Sequence, residues 1–233
     1  RTTGPAGNQG LFIQGNYNGH ISSFGETIEL VAPDGSTVST VSTPSVPTVN
    51  QLHFRVTEIM YHPADPSEDE LALGFGDGDL FEFIELQNTS ATETLQLAGV
   101  EFNRGMTFTF GDVSLAPEAY AVLVSNAAAF ATRYPGVAIA GTYVGNLSNG
   151  GEAIKLDDAD GSTIHDFEYD DTGAGWHPTT DGDGPSLVIG NVALPPDSWN
   201  DGASWRPSGA VGGSPGRSDS LPGDFNGDGL VGG

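Results

Sequence analysis

The most constraining feature of this sequence is a stretch that occurs twice. Residues 13–38 and 139–164 align without a gap at a constant offset of 126. Internal repetition is typical of proteins built from tandem modules. We therefore expect the chain to start inside one module, to continue into a fuller second copy, and to be a piece of a longer polypeptide. The recurring residues are Gly15, Tyr17, Gly19, Ser22, Gly25, Glu26, Ile28, Leu30, Asp34, Gly35, Ser36 and Thr37, which return as Gly141, Tyr143, Gly145, Ser148, Gly151, Glu152, Ile154, Leu156, Asp160, Gly161, Ser162 and Thr163.

Composition narrows the classes of protein to which this chain can belong. Its 233 residues include 34 Gly, 15 Pro and no Cys, so we expect many tight turns and a core without disulfides. Apolar runs are far shorter than the roughly 20 residues of a membrane helix, which argues against membrane insertion. A net charge of −24 with only 7 Lys and Arg argues against nucleic-acid binding. The same charge favours divalent cations, cationic partners or a well-solvated secreted surface.

Short alternating runs between turn residues predict an all-β fold. Residues 27–41 predict a β-hairpin that turns at Pro33-Asp34-Gly35. Residues 1–41 are then the end of a preceding module, and residues 42–51, with prolines and hydroxyl side chains, indicate a linker. Residues 52–219 predict one complete sandwich of antiparallel sheets. Its predicted strands are 54–60, 80–87, 94–97, 100–103, 107–110, 120–124, 141–144, 153–156, 163–169 and 186–189.

The predicted sandwich contains one short helix and one long insertion. The helix is expected at 126–133, because Asn126 can cap it and a Pro-Gly pair follows it. Residues 63–79 carry many acids and predict an exposed loop. Phe81 and Phe83 alternate with Glu82, which predicts a strand with one apolar face.

The repeat also predicts burial. Ile28 and Leu30 should occupy environments equivalent to those of Ile154 and Leu156. A two-stranded hairpin with an apolar face is marginal in water. We therefore expect the first hairpin to pack on the main sandwich or on another subunit.

Two groups of acids invite a cation-binding interpretation. Asp157, Asp158 and Asp160 precede a glycine in the second copy, but only Asp160 has an acidic counterpart in the first copy. That favours a turn-forming role for Asp160 and leaves cation binding open. The second group indicates a solvated strand edge, since charge at an edge also blocks unwanted strand pairing. Its members are Asp166, Glu168, Asp170 and Asp171.

Nothing in the sequence predicts catalysis. The five histidines are scattered without H-E-x-x-H spacing, and no G-x-S-x-G elbow is present. His165 and Asp166 should point to opposite faces of one strand. Trp176, Trp199 and Trp205 are interpreted as packing residues rather than a platform for sugars.

Several motifs lie in the order found in bacterial lamin-tail domains. They are RVTEIMYHPAD (55–65), FEFIELQNTS (81–90), LAPEAYAVLVSN (115–126), GTYVGNLSNGGEAIKLDDADG (141–161), and Trp176, DGDGPSL (181–187), SWRPS (204–208) and GGSPG (212–216) at the end. Residues 52–219 therefore resemble that family, and residues 13–38 resemble its C-terminal part. The resemblance implies an immunoglobulin-like β-sandwich and a large secreted or surface protein. The family offers no established catalytic residues to transfer.

The last residues, 220–233, resemble the start of a dockerin repeat, whose calcium loop is of the EF-hand type. The resemblance implies calcium ligands at loop positions 1, 3 and 5 from Asp224, Asn226 and Asp228, and a carbonyl ligand from Leu230. Position 12 would lie two residues beyond Gly233. We therefore expect calcium to bind weakly to this stretch and firmly only in a longer chain.

The sequence thus predicts a non-catalytic extracellular module of a multidomain surface or secreted bacterial protein, with a binding or spacer role. Its expected partners are a protein or polysaccharide at the cell surface, or further copies of itself. Two alternatives stay open. One is a structural subunit of an extracellular fibre or matrix assembled by strand pairing, and the other is an accessory module that tethers a hydrolase.

Overall fold

The computed structural model describes residues 25–43, 46–173 and 175–219. The chain divides into two compact units, Arg1–Val46 and Pro47–Gly233. In the first unit, β1 (Thr27–Val31) and β2 (Thr37–Ser42) pair into the predicted antiparallel hairpin. Among the described residues, these two strands form a sheet of their own.

The second unit consists mainly of short strands, as the alternating pattern predicts. Turns rich in glycine separate them. The strands are β3 (Phe54–Met60), β4 (Phe83–Asn88), β5 (Leu95–Gln96), β6 (Glu101–Arg104), β7 (Phe108–Thr109), β8 (Ser114–Leu115), β9 (Tyr120–Val124), β10 (Gly141–Thr142), β11 (Glu152–Asp157), β12 (Thr163–Tyr169), β13 (Leu187–Ile189) and β14 (Trp205–Pro207).

Two larger sheets face each other across one core. The six-stranded sheet has the order β10-β9-β4-β3-β13-β14, and the four-stranded sheet has the order β12-β11-β6-β7. Ile84 and Leu86 of the first sheet share a hydrophobic cluster with Ile154 and Leu156 of the second. The all-β, immunoglobulin-like sandwich is confirmed. One detail differs, because β10 pairs with β9 in parallel.

The predicted helix is present as α3 (Ala127–Arg133). Asn126 caps it, since its Oδ1 accepts hydrogen bonds from the backbone N–H groups of Ala128 and Ala129 at 3.0 Å. The prediction of a single helix is wrong, because α1 (Val49–His53) and α2 (Glu68–Ala72) are also helical. Each of these begins with a capping box, a signal that the sequence carries.

Helix α1 lies in the stretch expected to be a linker. Asn50 and Gln51 are buried. The Asn50 amide donates to the Gln96 carbonyl at 3.0 Å and to Asp158 Oδ1 at 2.9 Å. The structure thus places residues 47–51 in the second unit, because these polar side chains find their partners there.

Side chains on both faces of β4 are buried. Glu82 is fully buried, and the neighbouring Phe83 packs against Phe130 of α3. The six-stranded sheet is covered on both sides: the core covers one face, while α3 and the chain after β14 cover the other. Alternation in a strand identifies two faces, but it does not reveal that both are buried.

Candidate functional site

The hairpin β1–β2 has the same pairing pattern as β11–β12 of the sandwich. Ile28 pairs with Val41, and the equivalent pair is Ile154 with Phe167. Leu30 is the last residue before a register shift in β1. Leu156 holds the same place in β11. The repeat in the sequence is therefore also a repeat of strand register.

The two turns also match. Asp34 Oδ1 accepts hydrogen bonds from the Ser36 N–H at 2.9 Å and from its hydroxyl at 2.6 Å. Asp160 accepts the same two bonds from Ser162 at 2.9 and 2.6 Å. These bonds lower the pKa of both aspartates. The turn-forming role predicted for Asp160 is confirmed.

Burial separates the two hairpins. The expectation that Ile28 and Leu30 share the environment of Ile154 and Leu156 is wrong for this chain. The first pair is 41% and 62% exposed, whereas both residues of the second pair are fully buried. The apolar face of the first hairpin consists of Ile28, Leu30, Val38 and Val41, and at the same positions β11–β12 carries the buried Ile154, Leu156, Ile164 and Phe167.

Elements that precede the hairpin β11–β12 in the chain, and elements that follow it, cover its apolar face. Upstream, Phe102 of β6 pairs with Leu156. Downstream, the Trp205 ring lies 5.8 Å from the Phe167 ring, and the Trp199 ring lies 4.8 Å from that of His165. In β11–β12, the apolar face forms part of the sandwich interior. In the first hairpin the face is open.

Protein donors engage the acids near the second turn. Asp158 accepts from Thr48 Oγ1 at 2.6 Å and from the Asn50 amide at 2.9 Å. Asp157 accepts from Lys155 Nζ at 2.6 Å and from the Asn103 amide at 2.7 Å. These carboxylates tie the hairpin to neighbouring elements. Across the described ranges, no cluster of three or more His, Asp or Glu side chains could hold a metal ion.

A pair of buried carboxyl groups forms a second notable site. Glu58 of β3 and Glu85 of β4 are cross-strand partners, and each is only 1% exposed. The segment that follows β14, which we call the closing segment (residues 208–219), lies over them. Its Ser214 N–H donates to Glu58 Oε1 at 2.9 Å, and its Gly216 N–H donates to Glu85 Oε2 at 2.6 Å.

Further neutral donors complete this site. The Ser186 hydroxyl donates to Glu58, and the Thr57 hydroxyl donates to Glu85 Oε1 at 2.7 Å. Burial raises the pKa of Glu58 to about 7. Burial and the neighbouring Glu58 raise the pKa of Glu85 to about 8. Both groups hold the closing segment to the sheet, and sequence reasoning missed them because each looks like the polar residue of an alternating strand.

A cavity of about 300 Å³ adjoins this pair. Tyr120, Arg206 and Asp219 line it together with the two glutamates. The Arg206 guanidinium is paired with Asp219 at 2.5 Å. The cavity wall therefore already holds a neutralised ion pair, and the carboxyl groups of Glu58 and Glu85 are covered rather than presented to a substrate.

A model of the lamin tail domain family matches residues 50–171, just over half of the chain. The chain belongs to the lamin tail domain family. Comparisons with curated proteins and with solved structures returned no match. The matched region ends two residues after the hairpin β11–β12. β13, β14 and the closing segment lie outside the match, although both strands belong to the six-stranded sheet and the closing segment is hydrogen-bonded to it.

Lamin tail domains are generally non-enzymatic. His165 is buried between aromatic rings, and burial lowers its pKa to about 3. Asp166, its neighbour, faces the other way and pairs with Arg104. Trp199 and Trp205 are buried in the core and Trp176 packs against it, so the three tryptophans serve packing as predicted.

The remaining predicted sites divide into two groups. In the second acidic group, Asp170 Oδ1 accepts a hydrogen bond from the Thr172 N–H, and Glu168 is exposed. The calcium ligands predicted at Asp224, Asn226, Asp228 and Leu230 lie outside the described residues.

Within the described residues, no helix is long and apolar enough to cross a membrane.

Proposed function

We propose that this chain is a non-catalytic spacer and binding module of a longer secreted or cell-surface polypeptide, in which lamin tail domains follow one another. The observation that carries the proposal is the hairpin β1–β2. It repeats the register, the register shift and the turn of β11–β12, but its apolar face is open. One complete domain preceded by the end of another is the arrangement of a tandem array.

The surface chemistry supports an extracellular setting. The chain carries a net charge of −24. Such a charge keeps neighbouring modules apart and attracts divalent cations. A string of mutually repelling domains suits a spacer.

Electron microscopy of the native material tests the proposal. We expect separate globular modules joined in a line, with a mass per particle that matches one polypeptide. Smooth filaments with a strand-pairing repeat would contradict the spacer role. They would favour the fibre, because β1–β2 pairs with no other strand among the described residues and a sheet edge can add a strand from another chain.

We also propose that the stretch after the closing segment binds calcium. Asp224, Asn226 and Asp228 have the spacing of EF-hand positions 1, 3 and 5, and Leu230 would add a carbonyl. These four ligands leave the ion short of its six to eight oxygens, so a glutamate at position 12 should complete the site.

Calorimetry on two chains tests this calcium site. A chain extended beyond Gly233 with a glutamate at position 12 should bind calcium tightly, and Asp224→Ala should abolish that binding. The unextended chain should bind weakly. Equal and tight binding by both chains would place the site elsewhere.

A further inference from the structure

The open apolar face of β1–β2 corresponds to the buried face of β11–β12. At four positions where β11–β12 turns an apolar side chain into the core, Ile154, Leu156, Ile164 and Phe167, β1–β2 carries an aliphatic side chain, whereas Thr43 stands where β12 has the buried Tyr169. The opposite face is polar in the first hairpin, where Glu29 pairs with Thr40. At those positions β11–β12 has Lys155 and Asp166. The first hairpin thus has one apolar and one polar face, which is the pattern of a sheet that is buried on one side.

The differences between the hairpins indicate which kind of segment the apolar face of β1–β2 can receive. Phe167 and His165 contact tryptophans that follow β12 in the sequence. The first hairpin has the smaller Val41 and Ser39 there, and the chain after it enters the second unit at Pro47. The positions that face upstream elements, Ile28 and Leu30, are unchanged from Ile154 and Leu156.

We propose that the apolar face of β1–β2 docks the N-terminal half of another lamin tail domain, a segment built like residues 47–126 of this chain. This inference rests on the proposed tandem arrangement. The docked segment would add a strand at the edge of β1 that pairs with no other described strand, as β6 pairs with β11 through Phe102 and Leu156. It would cover Ile28 and Leu30 with its own inner sheet face.

The sequence of the first hairpin also predicts which kinds of residue the docked segment carries at two positions. Asp158 accepts hydrogen bonds from Thr48 and Asn50, but its counterpart in the first hairpin is Ala32. A buried donor without an acceptor is costly. The native partner should therefore carry apolar or small residues where this chain has Thr48 and Asn50.

Thiol labelling in an extended chain tests the proposal. The chain has no cysteine, so each variant carries a single thiol. Residues 47–126 are placed directly before Arg1, which reproduces the spacing of the second copy because residue 127 corresponds to residue 1. A second version also carries Ala32→Asp, which returns an acceptor to Thr48 and Asn50.

The variants Ile28→Cys, Thr40→Cys and Ile154→Cys report on the open face, the polar face and the covered face. In the original chain, the thiol of Ile28→Cys should react with a maleimide as fast as that of Thr40→Cys, and the thiol of Ile154→Cys should react about 100-fold more slowly. In the extended chain with Ala32→Asp, labelling of Ile28→Cys should slow by at least about tenfold, while labelling of Thr40→Cys is unchanged.

Two outcomes would overturn the proposal. The thiol of Ile28→Cys could stay as reactive in both extended chains as in the original one, in which case this half-domain is not the partner. Alternatively, the same thiol could become protected in the original chain as the protein concentration rises, in which case a second copy covers the face. Filaments seen by microscopy would instead contradict the proposed function, so the two failures are distinguishable.

Discussion

At the scale of single residues, identical side chains in this chain have unequal energetic roles. Leu30 and Leu156 occupy equivalent positions in matching hairpins, yet Leu30 is 62% exposed and Leu156 is fully buried. The contribution of a leucine to stability depends on the water it loses and on the cavity its removal would leave. Equal sequence therefore does not imply equal stabilisation.

This contrast leads to a stability prediction. Leu156→Ala should lower the free energy of unfolding of the sandwich by about 2–5 kcal/mol. Leu30→Ala, its matched control, should change it by no more than about 0.5 kcal/mol. Urea denaturation measured by tryptophan fluorescence follows both, because Trp199 and Trp205 lie in the core. Equal effects of the two substitutions would contradict the open face.

A second prediction concerns the pH dependence of stability. The ordinary pKa of a glutamate is 4.5, and burial raises it to about 7 in Glu58 and to about 8 in Glu85. The folded chain thus keeps protons that the unfolded chain loses. This contribution to stability is fully present below about pH 4.5 and is lost as the pH rises through 7 and 8.

Urea denaturation between pH 4.5 and 9 checks this prediction. Glu85→Gln should flatten the decline, since the amide resembles the neutral carboxyl group and does not titrate. Glu93→Gln, at an exposed site, should leave the profile as it is. A wild-type stability that rises over this pH range would show that the buried pair is ionised at little cost.

At the scale of secondary-structure elements, one ion pair fixes the insertion 63–79. Arg133 at the end of α3 donates to both carboxylate oxygens of Glu70 in α2, at 2.8 and 2.9 Å. Its guanidinium also lies 3.6 Å from the ring centre of Phe81. The hydrogen bonds from Arg133 lower the pKa of Glu70 to about 2. Most of the insertion is exposed as predicted, but it is not only a loop: α2 forms within it, and the buried Glu70 attaches it to the sandwich.

Removing this pair should loosen the insertion. Arg133→Ala should lower the free energy of unfolding by about 2–4 kcal/mol, because it leaves a mostly covered carboxylate without its partner. Arg133→Lys keeps the charge but loses the two parallel hydrogen bonds, so it should rank between wild type and Ala. Limited proteolysis of residues 63–79 should accelerate in the same order. Unchanged cleavage in Arg133→Ala would show that other contacts hold the insertion.

The sequence predicts the elements of this fold better than their surroundings. Alternation locates β3, β4, β9 and β12, and a cap locates α3, because these signals lie within a few residues of one another. Alternation does not predict that Glu58, Glu82 and Glu85 are buried, because their burial depends on what covers the second face of the sheet. The repeat predicts the register of β1–β2 but not its exposure, which is decided by residues distant in sequence.

At the scale of the whole molecule, the chain contains a lamin tail domain and a hairpin that repeats the register and turn of β11–β12. The second unit buries its core between two sheets and seals the outer face with α3 and the closing segment. The first unit offers a hairpin with the register of the sandwich but with its inner face open. We infer that these two hairpins share strand register and turn, and that β11–β12 is covered whereas the apolar face of β1–β2 is open.

Hydrogen exchange of the 233-residue chain, followed by mass spectrometry of peptides from both hairpins, tests this claim most directly. The amides of β11–β12 are held in a packed sheet and should exchange only on larger opening of the domain. The amides of β1–β2 have the same pairing but no cover, and they should exchange orders of magnitude faster. Equally slow exchange in the two hairpins would mean that the first is already covered within this chain, and the account of an open docking face would be contradicted.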